Sequence, residues 1–145
     1  MRLVLDYPAG WAVTRAGGGE RAVRDLAELQ VEPSVALPSD PLQVGKRWLG
    51  AGLPADAALT GSRASEHATR EGWPVAILEA DLATSAGPRG RVVALFRLLD
   101  HLAVVRIDAP PTWLAAERVA IAELLLAARV DWGAEPVALA QLWGA

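Results

Sequence analysis

Three consecutive apolar segments decide the fold: VAILEADLA at residues 75–83, RVVALFRLL at residues 91–99 and LAVVRID at residues 102–108. Each is long enough for a strand and rich in aliphatic residues. A loop rich in Gly and Pro at residues 85–90 separates the first two, and a tight turn at Asp100-His101 separates the last two. Strands joined by connections this short predict an antiparallel meander.

Alternation along the three strands divides their residues between two faces. We assign the core face to Leu78, Ala80, Leu82, Val92, Ala94, Phe96, Leu98, Ala103, Val105 and Ile107. The second face is half apolar, with Val75, Ile77, Val93 and Leu95 beside Glu79, Asp81, Arg91, Arg97, Arg106 and Asp108. An apolar area that charges only partly balance predicts a contact surface for a partner, unless another element covers it.

Helices are predicted on both sides of the meander in the chain. Asp40-Pro41 is a typical helix start, because Asp caps a helix and Pro fits its first turn, and this helix extends to about Leu49. After two prolines, Thr112 is the candidate cap of a long helix that reaches about Ala128. Its apolar stripes are broad enough to cover a sheet.

The remaining segments give weaker patterns. Strands are predicted at residues 2–6, 11–14, 31–37 and 58–69, and residues 20–30 are assigned as a weak helix or loop. The glycine run at residues 17–19 lacks the spacing of a phosphate-binding loop, so it predicts a hairpin or loop.

Composition limits the class of protein. The 145 residues fit one domain, residues 1–145, and 52% of them are hydrophobic, which supplies a core. A net charge of −3 argues against a nucleic-acid partner, which would need a basic face. The absence of cysteine excludes disulfides and zinc–thiolate sites. No apolar run is long enough for a signal peptide or a membrane span, so we expect a cytoplasmic protein.

Candidate chemistry is sparse. Glu79 and Asp81 lie two positions apart on one strand face, as a catalytic acid pair would, but Arg91 and Arg97 on the next strand favour a solvated face of opposite charges. His67 and His101 lack the spacing of metal ligands. We therefore predict no catalytic residue, cofactor or metal site.

Six tryptophans are the unusual feature of the composition. Four of them adjoin a glycine at the predicted end of an element, which favours a role in closing the edge of the core. The alternative is an aromatic contact surface for a protein partner. Trp143, within the apolar segment 135–145, is the best candidate for such a contact, and we predict that this segment is a docking tail.

The ordered elements resemble the PsbP/Mog-like superfamily. The resemblance is carried by YPAGW at residues 7–11, the helix from Asp40, GWPVAILEADL at residues 72–82, the strand pair at residues 91–110 and WLAAERVAIAELLLAARVDW at residues 113–132. It implies an α+β fold, an antiparallel β-sheet sandwiched between helices (α/β/α) with a long C-terminal helix. The superfamily includes DcrB-like lipoproteins and Eag-type chaperones of secretion effectors, so it implies binding or assembly and no catalytic residues.

Together these observations predict a bacterial, non-enzymatic protein-binding module. It would be a cytosolic adaptor or chaperone for a client protein, Eag-like and secretion-associated, using Val75, Ile77, Val93, Leu95 and Trp143. A homodimer is compatible with this role. The alternative is a carrier of a small apolar ligand, with a cavity between the sheet and the C-terminal helix. An enzyme that uses Glu79 or Asp81 is the third class.

Overall fold

The computed structural model of the chain describes residues 1–133. Within these residues the strands are β1 (Arg2–Val4), β2 (Ala12–Ala16), β3 (Gly19–Arg24), β4 (Ala27–Val31), β5 (Val35–Ala36), β6 (Ala58–Ala68), β7 (Pro74–Thr84), β8 (Gly87–Leu98), β9 (His101–Ala109) and β10 (Arg129–Asp131). The helices are α1 (Pro41–Gly50), α2 (Pro111–Ala116) and α3 (Arg118–Leu126).

One large antiparallel sheet organises the molecule. Its strand order is β2-β3-β4-β9-β8-β7-β6, and the short β5 pairs with β9 beside β4. Strands β7, β8 and β9 form the predicted meander at its centre. A separate ribbon joins β1 to β10. The α+β class with a large antiparallel sheet is confirmed.

Helix α1 covers one face of the sheet. Asp40 caps it by accepting a hydrogen bond from the Gln43 amide at 3.4 Å, and Pro41 occupies its first turn, as predicted. Its apolar side packs on a small cluster of buried residues, Leu78, Val93, Leu95, Leu102 and Val104. The second sheet face is therefore covered over β7, β8 and β9.

Helices α2 and α3 and the β1–β10 ribbon cover the opposite face. The larger core lies there, and Phe96, Leu98, Val105 and Ile107 are fully buried in it. Helix α3 contributes Ile121, Leu124 and Leu125 to this core. The sheet is thus packed between one helix and a layer of two short helices.

The prediction of which β7 residues face the larger core is wrong, because the pairing of β7 with β8 is shifted by one residue. A two-residue turn at Ser85-Ala86 pairs Thr84 with Gly87, so even-numbered residues of β7 lie opposite odd-numbered residues of β8. Because a shift of one position moves every side chain to the other face, Val75 and Ile77 join Phe96, while Leu78 joins Val93. The predicted faces of β8 and β9 are correct relative to each other.

The long C-terminal helix was also a wrong prediction. Its residues form α2 and α3, which meet at Glu117 with φ −100° and ψ 12°. Leu114 anchors α2 over Gly90 of β8, while α3 packs its own apolar residues on the core, so each half follows a different part of the twisted sheet. The first half begins at Pro111, and Thr112 makes no capping hydrogen bond.

Residues 20–30, predicted as a weak helix or loop, belong to the β3–β4 hairpin. Its turn places Asp25 at φ 52°, and the alternation of buried Ala27, Leu29 and Val31 sets β4 on the core. The preceding β2–β3 turn uses Gly17 and Gly18, both with positive φ, in agreement with the hairpin predicted for the glycine run. In the part of the chain that the structure describes, no helix is long and apolar enough to cross a membrane.

Candidate functional site

A groove of about 500 Å³ separates the outer strands of the sheet from helices α2 and α3. Helix α3 packs on the larger core, to which β7, β8 and β9 contribute buried residues and β6, the outermost strand, contributes none. The space left between the helix and these outer strands is the groove.

The inner surface of this groove is apolar. Ile77 of β7 and Val92 of β8 form its floor, and Leu114, Ile121 and Leu125 of the two helices form its wall. Val92, Ile121 and Leu125 are also part of the larger core. The groove is therefore an opening into the core itself, held by well-packed elements, and it offers an apolar ligand a preformed surface.

An ion-paired network forms the rim. The carboxylate of Glu79 on β7 accepts a hydrogen bond from Arg63 Nε of β6 at 2.9 Å and lies 3.5 Å from Arg118 Nη2 of α3. This carboxylate raises the pKa of Arg63 above its usual value. Glu79 thus links an outer strand to the helix on the other side of the groove. Its partners are not the arginines predicted from the sequence, because β7 presents the opposite face.

Polar side chains of β6 form the rest of the outer wall. Ser65 Oγ lies 2.9 Å from His67 Nε2, and both residues are exposed. Asp81 lies opposite Gly61, next to a register irregularity between Leu59 and Gly61. A Cβ on that glycine would meet the Asp81 carboxylate at 3.4 Å. Among residues 1–133, no group of three or more His, Asp or Glu side chains is placed to hold a metal ion.

Arg91, predicted to face the acid pair, lies on the other side of the sheet. It is buried, binds Asp108 at 2.5 Å, and donates to the carbonyl oxygens of Trp48 and Leu49 at 3.1 and 3.3 Å and to that of Ala51. These carbonyl groups belong to the C-terminal end of α1, where a cation is favourable. Arg91 therefore holds the covering helix in place and takes no part in the groove's charge network.

Comparison with solved structures gives distant matches over most of the chain. Cyanobacterial PsbP from Synechocystis matches with a TM-score of 0.63 and 15% identity, over 89% of this chain and 86% of the other. A mutant of Mog1 matches with a TM-score of 0.54 and 14% identity, over 88% of this chain and 90% of the other. The chain has the PsbP/Mog1-like fold.

A third structure with similarity to this PsbP/Mog1-like chain is a protein of unknown function from Pseudomonas aeruginosa. Its TM-score is 0.51 at 11% identity, over 86% of this chain and 99% of the other. No protein-family model and no curated protein sequence matches the chain. At such low identities the matches describe the fold, and the function has to be inferred from the chain's own residues.

The residues predicted to bind a partner do not lie together on this PsbP/Mog1-like sheet. Val75 is buried in the larger core and Ile77 lines the groove, whereas Val93 and Leu95 are buried under α1 on the opposite face. The prediction that the four share one face of the sheet is therefore wrong, because the register of β7 places Val75 and Ile77 on the other side. The face that carries Val93 and Leu95 is covered by α1. Trp143 lies outside the described residues.

The sequence reading missed most of the groove. Leu114, Ile121 and Leu125 belong to the apolar stripes of the predicted C-terminal helix, which indicate cover of a sheet and not a groove, and no pattern in the sequence marks Arg63 or Arg118. One signal was available: residues 58–68 have few large apolar side chains, which is typical of an edge strand that a neighbouring helix does not cover. The tryptophans agree better with expectation, since Trp11, Trp73 and Trp113 pack at the border of the larger core.

Proposed function

We propose that this protein is a non-enzymatic carrier of a small apolar ligand, bound in the groove between β6–β8 and the helices α2 and α3. The observation that carries the proposal is the groove itself. Its volume of about 500 Å³ lies within the range of about 300–1,000 Å³ typical of small-molecule sites. It also lies between the sheet and the C-terminal helices, where the carrier hypothesis requires a cavity.

The charges of the groove support an uncharged or weakly polar ligand. The guanidinium group of Arg91, a third arginine of the groove lining, is paired with Asp108 on the other side of the sheet. The remaining two arginines, Arg63 and Arg118, are balanced by two carboxylates, Glu79 and Asp81, so the rim has no excess of either sign. Glu79 is already engaged by both arginines, and a strongly charged ligand would have to compete with these contacts. The apolar floor and wall would supply the binding energy, at roughly 25 cal/mol per Å² of apolar surface removed from water.

A matched pair of substitutions on β6 tests the proposal. Ser65 and Ser62 are both exposed serines of the same strand, but only Ser65 lines the groove, because the two residues face opposite sides of the sheet. Ser65→Trp should fill the groove and weaken binding of the neutral apolar dye Nile red at least tenfold. Ser62→Trp should leave the affinity unchanged.

Thermal unfolding followed by circular dichroism checks that both variants fold like the parent chain. Equal dye affinity in the two variants would contradict the assignment of the groove. An absence of dye binding in the parent chain and in every variant would contradict the carrier function itself, because a site of this volume and polarity should accept the dye.

A second candidate function is binding of a client protein, as expected from the superfamily resemblance. The observation that favours it is the edge strand β6, whose eleven residues are almost all exposed and which, in the described part of the chain, pairs with β7 alone. An extended client segment could add to this edge through backbone hydrogen bonds. Ala64→Pro removes one backbone amide of β6 and tests this candidate only weakly. Capture of a client segment that protects the β6 amides from exchange would support it directly.

A further inference from the structure

The described chain stops beside one end of the groove. Strand β10 ends at Asp131, and the ring of the next residue, Trp132, lies 5.8 Å from the ring of Trp73, centroid to centroid. Trp73 immediately precedes β7 and packs against the larger core, on the side of the sheet that carries the groove. The last described residue, Gly133, therefore follows a contact with the β6–β7 turn.

The β6–β7 turn, residues 69–73, does not line the groove but adjoins it in the chain at His67. The Arg70 amide donates to the Leu126 carbonyl at 2.9 Å, which ties the turn to the end of α3. His67 lies three positions before Arg70, Leu125 immediately precedes Leu126, and both His67 and Leu125 line the groove. Val75 pairs with His67 two positions after Trp73, a distance of roughly 7 Å along a strand. The chain thus leaves the described region within a short reach of the groove's mouth.

The sequence beyond this point has the composition of a groove ligand. Residues 134–145 are AEPVALAQLWGA, lie outside the described residues, and contain one ionisable side chain, Glu135. Residues 139–143, LAQLW, contain its largest apolar side chains, Leu139, Leu142 and Trp143. Leu139 lies six positions after Gly133, and an extended chain covers up to about 3.3–3.6 Å per position, or roughly 20 Å in all. The groove-lining part of β6, from His67 to Arg63, is shorter than this reach.

We propose that residues 134–145 dock into the groove of their own chain, with residues 139–143 against Ile77, Ile121 and Leu125. The segment is covalently linked and begins near the groove, so its effective concentration there is in the millimolar range expected for a short linker. Its near-neutral composition matches the balanced charges of the rim. Docking would also remove the apolar surface of both the groove and the segment from water.

This docking gives the groove an internal competitor. The competition rests on the proposed carrier function, because an external ligand would have to displace the segment from the groove. If the segment occupies the groove in nine of ten molecules, releasing it raises the apparent affinity for a ligand about tenfold.

Paramagnetic broadening in the full chain tests the docking. The chain has no cysteine, so one engineered cysteine takes a nitroxide label at a single position. Labels at Glu66→Cys of β6 and at Ala116→Cys of α2 lie on exposed positions next to groove-lining residues without lining the groove themselves, whereas Thr14→Cys lies on β2, at the other edge of the sheet and roughly 29 Å away across six strand spacings. Trp143→Phe assigns the Trp143 indole signal among the six.

We expect both groove labels to broaden the Trp143 indole signal at least fivefold more than the Thr14 label does. Equal broadening by all three labels, or none, would overturn the proposal. Broadening that appears only when labelled chains are mixed with isotope-enriched, unlabelled chains would overturn it too, because the segment would then dock on a second copy.

A binding measurement separates this inference from the carrier function. Leu142→Asp places a charge in the segment and should raise Nile red affinity about tenfold, with Glu135→Gln, at the segment's polar start, as the unchanged control. Groove-specific broadening without dye binding in any variant would leave the docking established and reject the carrier function. Dye binding that Ser65→Trp abolishes, without groove-specific broadening, would reject the docking and keep the carrier function.

Discussion

Gly45 determines how closely α1 approaches the sheet. A Cβ at this position would lie 2.6 Å from Leu95 Cδ1 and 2.8 Å from Leu78 Cδ1, which is well inside van der Waals contact. Both leucines are buried, so neither can move aside freely. Gly45→Ala should therefore destabilise the protein by about 1–3 kcal/mol through overpacking, measured as the free energy of unfolding in urea.

Gly50 on the same helix is the matched control. It is exposed, and nothing lies within 4 Å of a Cβ built on it. Gly50→Ala should be neutral or stabilising by up to about 1 kcal/mol, because alanine has the higher helix propensity. Equal effects of the two substitutions would show that the close approach of α1 to the sheet does not limit stability.

Glu28 makes stability depend on pH in the acid range. Hydrogen bonds from Arg21 and then Gln30 hold the pKa of this carboxyl below its ordinary value of 4.5. Since the folded state binds its proton less readily than the unfolded state does, the stabilisation is fully present above pH 4.5 and is lost as pH falls through the lower folded value. The site is partly exposed, so we expect about 0.5 kcal/mol.

Urea unfolding at pH 6 and at pH 3 measures this contribution. Glu28→Gln should lose less stability than the parent chain between the two pH values, by about that amount. Asp25→Asn, at the exposed tip of the same hairpin, is the control and should follow the parent chain. A parent-like pH dependence in Glu28→Gln would contradict the assignment.

Arg91 connects helix α1 to the sheet. Its guanidinium group is buried, paired with Asp108, and bound to the last carbonyl groups of α1. Arg91→Met should destabilise by about 3–5 kcal/mol, because it leaves a partly buried carboxylate and helix carbonyl groups without their donor. Arg97→Met, an exposed residue on the same strand face, should cost no more than about 0.5 kcal/mol.

Thermal unfolding and the far-ultraviolet circular dichroism spectrum of the whole chain distinguish two outcomes for Arg91→Met. A large loss of stability with a native spectrum would show that α1 still forms and that Arg91 stabilises its attachment to the sheet. A loss no greater than that of Arg97→Met would contradict the role of Arg91 as an anchor.

The elements that local chemistry specifies could be predicted from the sequence. Asp40-Pro41 defines the start of α1, and the apolar runs define β8 and β9. The face of β7 could not be obtained in this way, because it depends on a two-residue turn at Ser85-Ala86 inside a longer Gly/Pro-rich stretch. The break at Glu117 has no Gly or Pro to signal it and depends on how α2 and α3 pack on the sheet.

The candidate site depends on the same long-range features, the register of β7 and the packing of the C-terminal helices. Glu79 was predicted to meet Arg91 and Arg97, and it meets Arg63 and Arg118, which lie 16 and 39 residues away along the chain. Once β7 is turned by one residue, its acidic positions move from the face under α1 to the rim of the groove. Predicting the charge network would have required the sheet register and the position of α3 together.

At the scale of the whole molecule, the sheet is wider than the helical layers that cover it. Helix α1 lies over β7–β9, and the core under α3 contains residues of β7, β8 and β9 but none of β6, so the helices cover the centre of the strand order better than this edge. Among residues 1–133, the outer strand β6 has two largely exposed faces and one edge that no described strand pairs with. The groove is a consequence of this mismatch in width, and it places the candidate site where the fold is least constrained.

Hydrogen exchange of the backbone amides should follow this gradient of cover. Strands β8 and β9 are buried along almost their whole length and paired on both sides, so their amides should open only with global unfolding. Amides of β6 that face away from β7 should exchange orders of magnitude faster, while its β7-paired amides should be intermediate. Exchange followed residue by residue by NMR measures all three groups in one experiment. If the outward amides of β6 were as protected as those of β8, another segment or a second copy would have to cover that edge, and β6 could not be the open boundary from which the groove arises.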